Sequence, residues 1–318
     1  PGMALATNLM NQYSMLLPAD HIITDRDIAS LKRLLPEALV SIKDPFLDSA
    51  VDFYDDSKDY QVSRKVRQGI SKVAGNVSNQ LRNGVTLDGK NVAGLQQTFS
   101  EMMDYVLMNP VASAVIEKSM SWDEYLQEHS ANVFYLSLLI GNTIKNYIKR
   151  ERERLSAAKS IKNAMDLNPL ATAALLHDIG MVPLAYLYSK KEPLTEEEIE
   201  KVKRHPQDGA DMLPSQIDPM VKLIIRTHHE NCDASGYPEQ LPGDKINIFA
   251  KIVRVADAYS SAICDKVYQK AKHPAIVLHE MLNSPISRCY DPVILKVFSG
   301  IVQPFPIGAK LQLNSGKW

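Results

Sequence analysis

From residue 62 onward, the apolar residues of this chain recur at spacings of three and four, which is the period of an α-helix. Val62, Val66, Ile70, Val73 and Val77 form the first such stripe, which predicts one buried helical face. In the C-terminal half, helices are predicted over 125–154, 169–177, 196–204, from Pro206 onward, and over 220–229, 248–262, 274–282 and 292–299. The pattern therefore predicts a mainly α protein.

The N-terminal part has a less regular pattern. Thr24 to Asp27 predicts a helix cap before a helix over 31–40, and residues 40–42 predict a short strand. This region contains no catalytic motif. We therefore predict two domains: a smaller N-terminal α+β or helical module over 1–118, serving as scaffold or regulatory surface, and a helical domain over 119–318.

Composition restricts the compartment and the partners. The three cysteines, Cys232, Cys264 and Cys289, lack CxxC spacing, which argues against a thiolate zinc site and predicts a reducing compartment, the cytoplasm. The net charge of −1 predicts no broad basic face and no duplex nucleic acid partner. The longest apolar run, 133–141, is too short to cross a bilayer, so we expect no membrane partner.

Five of the eight histidines lie on successive predicted helices of the C-terminal half: His129, His177, His205, His228 and His229. Two aspartates accompany them, Asp178 directly after His177, and Asp257. A single buried histidine is most simply structural, but an ordered series of five favours a metal site. Imidazole and carboxylate without sulfur suit iron, manganese or zinc.

The adjacent pair His228 and His229 restricts the geometry of such a site. Successive helical residues point about 100° apart, so both can bind at one centre only at a helix end or a bend. Turn-forming residues over 231–236 predict that end. Asp178 beside His177 can bridge two metals, and two cations about 3.5–4 Å apart promote in-line phosphoryl displacement. Phosphodiester hydrolysis is the predicted reaction class.

Several motifs then point to one family. The segment His-Asp-Ile-Gly at 177–180 resembles the HD signature of metal-dependent phosphohydrolases, and 228–238 resembles the HHExxDxxGYP signature of the HD-GYP subfamily. Residues 241–246 and 255–259 continue this pattern, with His129-Ser130 and His205-Pro206 at the first and middle histidine motifs. The chain thus resembles HD-GYP domains, which implies a helical bundle preceded by the smaller N-terminal module.

The resemblance implies hydrolysis of cyclic di-GMP to pGpG, or onward to GMP, by a hydroxide that two divalent metals activate, most simply iron, with manganese as the alternative. One metal would be bound by His129, His177, Asp178 and Asp257, and Asp178 would bridge to a second metal bound by His205, His228 and His229. Asp178, Asp257 and Tyr237 are the expected catalytic residues. The expected substrate-binding residues are Gly236, Tyr237, Met181 and Lys266, with Gly236 giving the loop a conformation barred to bulkier residues.

Four positions depart from the family's pattern. Met181 stands where the family has a phosphate-binding lysine, Lys266 where it favours arginine, and Gln269 at another usually basic position. Tyr125 replaces a glutamate that binds a third metal in some members, so we expect two metals.

The weakened phosphate contacts leave alternatives open: slow turnover, another cyclic dinucleotide, or a weakly active or inactive cyclic-dinucleotide-binding adaptor. Such an adaptor would interact with signalling proteins, possible GGDEF-type partners among them, through the loop that contains Tyr237. The long predicted helix 125–154 could support a homodimer.

Overall fold

The computed structural model describes residues 5, 9–10, 15–18, 21–34, 56–83, 103, 112–113, 122–155, 166–188, 190, 192–264 and 270–304. These residues are mainly α-helical, as predicted. The chain folds as two compact units, Pro1–Val62 with Ile307–Trp318, and Ser63–Pro306. The boundary at residues 118 and 119 stays a prediction.

The first unit contains strands β1 (Leu9–Met10) and β2 (Met15–Leu17), which pair antiparallel, and helix α1 (Asp25–Leu34). Thr24 begins α1 because its backbone N–H donates to Asp27 Oδ2 at 2.8 Å, while its hydroxyl oxygen accepts from the Asp27 N–H. The cap is thus confirmed, but the helix begins six residues earlier than predicted. The predicted strand 40–42 lies outside the described residues.

The helices that follow are α2 (Asp56–Arg82), α3 (Trp122–Thr143), α4 (Lys145–Leu155), α5 (Asn168–Leu176), α6 (Ala185–Tyr188), α7 (Glu196–Met212), α8 (Pro219–Thr227), α9 (Ile248–Ile263), α10 (Pro274–Asn283) and α11 (Pro292–Ile301). Two 3-10 helices cover Ile179–Leu184 and Pro285–Cys289. Strand β3 (Ala112–Ser113) pairs parallel with β4 (Val302–Gln303).

Helix α9 lies at the centre of the second unit, where it packs against α3, α5, α8, α10 and α11. Most of its residues are buried, which is typical of a helix that is apolar all round. Ile70 and Val77 of α2 are buried in the same core, and Val73 packs against it. The predicted stripe is confirmed at these three positions.

Two further predicted helix boundaries, both in the second unit, are wrong. The predicted helix 125–154 is two helices, α3 and α4. The helix expected to begin at Pro206 is instead the second half of α7. Helix α7 begins at Glu196, directly after a capping box at Thr195. Proline removes one backbone donor from a helix interior, and α7 continues through this loss.

The stretch Asn168–Leu187 is long and apolar enough to cross a membrane by length and composition. However, 72% of the 18-residue window that meets this criterion is buried inside the protein. Core helices meet the same criteria, so this stretch is weak support for a membrane span.

Candidate metal centre

Five helices bring the predicted ligands to one place. His177 and His228 are the C-terminal caps of α5 and α8, His129 lies on α3, His205 on α7 and Asp257 on α9. The structure places these residues, with Asp178 and His229, in two adjoining groups of potential metal donors. His228 lies at a helix end, as the spacing of the histidine pair requires.

Asp178 connects the two groups because its two carboxylate oxygens face different histidines. Oδ2 lies 3.5 Å from His129 Nε2 and 3.4 Å from His177 Nε2. Oδ1 lies 3.1 Å from His205 Nε2 and 3.9 Å from His228 Nε2. This carboxylate therefore has the geometry of a bridge.

Asp257 divides its oxygens in a similar way. Oδ1 lies 3.2 Å from His129 Nε2 and 4.0 Å from His177 Nε2, and Oδ2 lies 3.7 Å from His229 Nδ1. The donor atoms of His129, His177 and Asp257 lie within 4.8 Å of one another, as do those of Asp178, His205, His228 and His229.

Backbone carbonyls fix the orientation of three imidazole rings. The Nδ1 atoms of His177, His205 and His228 lie 2.9, 2.6 and 2.6 Å from the carbonyl oxygen three residues earlier in each case. A carbonyl only accepts hydrogen bonds, so in a neutral ring Nδ1 carries the proton and Nε2 presents a lone pair. Such outer contacts orient metal-binding histidines.

The lone pairs of His205 and His228 then face one another. Their Nε2 atoms are 3.4 Å apart, beside Asp178 Oδ1. Neutral rings oriented by Nδ1 place no proton between these acceptors, and a cation would satisfy all three. The donor set therefore suits divalent metal binding at His/Asp clusters, and it contains no sulfur.

Proline has a specific effect on His205. In a regular helix, the carbonyl of Val202 would accept from the backbone N–H of residue 206. Pro206 lacks that N–H, and His205 Nδ1 lies 2.6 Å from the Val202 oxygen. The proline that breaks the predicted helix pattern thus leaves an acceptor for the imidazole of its neighbour.

Burial and neighbouring charges separate the pKa values of the site. Burial lowers the pKa of His228 to about 3, with the charges of His177 and His205 acting in the same direction. Burial also lowers the pKa of His177, but the charge and hydrogen bond of Asp178 outweigh it and raise this pKa to about 9. For Asp178 and Asp257, neighbouring histidines outweigh burial and hold both pKa values below the ordinary range.

Of the expected substrate-binding residues, Tyr237 lies beside the centre. Its ring stacks on His229 with centroids 4.7 Å apart. Met181 is buried, with 4% of its surface exposed, and Lys266 lies outside the described residues. These placements leave their substrate roles as predictions.

Gly236 is needed for a different reason than predicted. Its backbone is not left-handed, and the positive φ angles of this loop fall at Ala234 and Gln240. A Cβ at Gly236 would lie 2.3 Å from the Asn231 nitrogen and 2.5 Å from the His229 oxygen. Close approach of two backbone segments therefore excludes larger residues.

Three supporting residues were not predicted from the sequence. Ser260 Oγ lies 3.0 Å from His129 Nδ1. The buried carboxylate of Glu230 accepts from the backbone N–H groups of Glu239 and Leu241 at 2.7 and 2.9 Å, which holds the loop beside Tyr237. Arg254 Nη1 lies 3.9 Å from Asp257 Oδ2.

The spacing of α9 could have indicated two of these residues. Arg254 and Ser260 lie three positions before and three after Asp257, and residues at this spacing share a helix face. Glu230 offered no comparable spacing signal, because its partners lie in an irregular loop.

Two further features border the centre. Tyr125 is buried, and its ring stacks on His129 with centroids 5.4 Å apart and an interplanar angle of 7°. An aromatic ring therefore stands where the family resemblance implied a carboxylate for a third metal in some members. Ala74, Val77 and Ser78 of α2 line a pocket that also includes Asp178.

Comparison with known proteins supports one family. A model of the HD domain matches residues 136–294. A cyclic di-GMP phosphodiesterase of Pseudomonas aeruginosa is 28% identical over 239 residues, 74% of this chain and 53% of the relative. The cyclic di-GMP phosphodiesterase PdeB of Borreliella burgdorferi is 30% identical over 190 residues, 58% and 45% of the two chains.

A 3'3'-cGAMP-specific phosphodiesterase of Vibrio cholerae is 31% identical over 132 residues, 40% of this chain and 25% of the relative. The chain spans about half the length of the first two curated relatives. The HD model covers half of the chain, and it includes four of the five clustered histidines. The chain therefore belongs to the HD domain family, in agreement with the HD-GYP resemblance of its motifs.

Proposed function

We propose that this protein hydrolyses a cyclic dinucleotide phosphodiester with two divalent metal ions, and that cyclic di-GMP is the substrate, with pGpG or GMP as product. The observation that carries the proposal is the position of Asp178, whose two oxygens face two different histidine groups. A carboxylate shared in this way suits a two-metal centre. The names of the relatives support the choice of substrate.

In the proposed arrangement, His129, His177 and Asp257 would hold one metal, His205, His228 and His229 would hold the other, and Asp178 would be a ligand shared by the two groups. The bound metals would lower the pKa of a water molecule, and their positive charge would stabilise the phosphate oxygens. Family resemblance favours iron, and manganese is the first alternative. The chain's own residues orient the ligands and the substrate.

Tyr237 would act as a hydrogen-bond donor. Burial raises the pKa of its phenol, and the charge of Asp257 raises it further, so the oxygen keeps its proton at neutral pH. A protonated phenol donates to an anionic oxygen. Stacking on His229 keeps the ring beside the centre, and it would bind a phosphate oxygen of the substrate.

The test is chromatographic. The protein is purified anaerobically, its metals are determined, and it is incubated with cyclic di-GMP and Fe(II) or Mn(II). An Asp178→Ala variant should lose metal and at least ~100-fold in rate. Asp208→Ala removes an exposed carboxylate that pairs with a surface arginine, and it should behave as wild type.

Product formation that depends on Asp178 would support the proposal. Absence of product from a protein that holds two metals would exclude cyclic di-GMP hydrolysis. Parallel incubation with 3'3'-cGAMP tests the other substrate that a relative's name suggests.

A second candidate function is a weakly active or inactive signalling adaptor that binds a cyclic dinucleotide. The observation that favours it is Met181, an apolar residue that is buried beside the HD motif. An adaptor would bind cyclic di-GMP and partner proteins, GGDEF-type cyclases among them, without turnover. Binding measured alongside product formation separates the two functions.

The remaining proposals concern the cellular context. The three free cysteines favour the cytoplasm as the compartment, which cell fractionation would test. A homodimer stays a proposal from the sequence alone, because the long helix that suggested it is two helices, α3 and α4. Light scattering would test it.

A further inference from the structure

Helix α9 carries a positive charge to the edge of the metal centre. Arg254 lies one turn before Asp257, and its Nη1 atom is 3.9 Å from Asp257 Oδ2. The same oxygen faces His229, whereas Oδ1 faces His129. The guanidinium therefore lies on the His229 side of the centre. Only 17% of the Arg254 side chain is exposed.

Two contacts hold the guanidinium in place. Nε donates to Asn231 Oδ1 at 2.9 Å, and Cζ lies 5.4 Å from the centroid of the Tyr290 ring. Asn231 is itself fixed, because its amide nitrogen donates to Ser235 Oγ at 3.0 Å. The signature loop thus orients Arg254 from one side, and a buried tyrosine supports its plane.

Of the guanidinium N–H donors, these contacts use only the one on Nε. Arginine offers five N–H donors in a planar arrangement. Within the part of the chain that the structure describes, both Nη atoms of Arg254 are without a hydrogen-bond acceptor. The 3.9 Å separation from Asp257 exceeds the roughly 2.7–2.9 Å of a charge-assisted hydrogen bond. The donors on both Nη atoms are therefore available to an anion beside the centre.

We propose that Arg254 binds a non-bridging oxygen of the phosphate that is hydrolysed at this centre. The inference rests on the proposed function and names the residue that recognises the charge of its substrate. Among the lysines and arginines that the structure describes, Arg254 is the one with a nitrogen within 4 Å of a carboxylate of the centre. It supplies a phosphate contact where the buried Met181 cannot.

The test compares Arg254→Gln and Arg254→Lys with Arg204→Gln. Arg204 is a matched control because its side chain is 72% exposed and pairs with a surface carboxylate. Four properties are measured for each: kcat/KM on cyclic di-GMP and on bis(p-nitrophenyl) phosphate, pGpG binding by calorimetry, metal content, and melting temperature. The second substrate reports on the scissile phosphate without the nucleotide.

We expect Arg254→Gln to keep its metals and melting temperature while losing about 10–100-fold in kcat/KM on both substrates, with weaker pGpG binding. Arg254→Lys keeps the charge but not the fork, so its values should fall between those of Arg254→Gln and wild type. Arg204→Gln should match wild type.

Two results would overturn the inference. One is unchanged kcat/KM and binding in Arg254→Gln. The other is loss of metal or a lower melting temperature, since Arg254 would then only support Asp257. If Arg254→Gln fails to fold, Arg254→Lys decides, and wild-type kinetics in that variant would refute the role.

Failure of the proposed function gives a different pattern. If wild type hydrolyses neither substrate but binds pGpG, weaker binding by Arg254→Gln still supports the phosphate contact, and equal binding overturns it. A wild-type protein that neither binds nor hydrolyses would overturn both proposals.

Discussion

A methyl group added at Gly180 should push helix α7, which carries His205, away from the segment that carries Asp178. A Cβ at this position would lie 2.1 Å from the backbone oxygen of His205 and 2.8 Å from the backbone nitrogen of Gly209. Contacts of Cβ atoms below 3.0 Å are essentially never observed, so the first of these must open by at least the difference, 3.0 − 2.1 = 0.9 Å. Both atoms belong to the backbone of α7, so a side-chain rotation cannot relieve the contact.

The size of this displacement decides the outcome. Metal–ligand distances tolerate changes of about 0.2 Å, so a shift of 0.9 Å would remove His205 from its position 3.1 Å from Asp178. Overpacking costs about 1–3 kcal/mol, which is less than the ~5–15 kcal/mol that stabilises a typical domain. Gly180→Ala should therefore stay folded and lose at least ~10-fold in metal affinity and in activity.

The assay combines metal titration, circular dichroism and product formation. Gly300→Ala is the matched control, because a Cβ there meets nothing within 4 Å and alanine is a better helix former than glycine. It should keep full metal affinity. Gly180→Ala with wild-type metal affinity would refute the reasoning that the close approach of these backbones sets the geometry.

Three further predictions follow from the same contacts. Pro206→Ala restores a backbone N–H, which competes with the His205 ring for the Val202 carbonyl and should lower metal affinity about 10-fold. The same change should raise the melting temperature, since proline costs up to ~3 kcal/mol in a helix. Higher or equal metal affinity would contradict this. Glu230→Gln leaves one part-buried N–H of the loop without its acceptor, so it should cost ~1 kcal/mol in unfolding free energy and raise KM. Unchanged denaturant unfolding would exclude the role. Metal-free protein should be most stable near pH 6.5, as measured by melting temperatures in the presence of chelator. The lowered pKa of His228, about 3, means that the unfolded chain binds more protons below pH 6.5, so the folded state loses stability as the pH falls from 6.5 towards 3. The raised pKa of His177, about 9, contributes stability that is lost as pH rises from 6.5 to 9.

The sequence predicted the residues of the centre better than their surroundings. The turn formers after His229 correctly indicated that α8 ends at the histidine pair, because helix ends carry strong local signals. The local signal failed at Pro206, which favours a first helical position in general but here lies inside α7. Local propensity cannot show that a side chain replaces the hydrogen bond that proline removes.

Contacts between distant residues were harder to predict. Ser260 and His129 are 131 positions apart, so their pairing depends on how α3 packs against α9. The need for Gly236 was recognised, but its reason was not, because close approach of two loop segments leaves no local pattern. The spacing of Arg254 from Asp257 indicates a shared helix face, but its contact with Asn231 of the loop leaves no local pattern.

One rule of helix geometry accounts for three of the five clustered histidines. The last carbonyls of a helix lack backbone donors, and His177 and His228, at the ends of α5 and α8, direct Nδ1 at such carbonyls. His205 lies within α7, where every carbonyl would normally be occupied, and Pro206 leaves the required acceptor free. Each ring thereby directs Nε2 towards the centre. A free carbonyl at a helix end and the carbonyl freed by Pro206 thus orient the imidazole rings in the same way. This equivalence makes Pro206 a positioning residue for His205, and it explains why a helix that continues through a proline is compatible with an ordered metal centre.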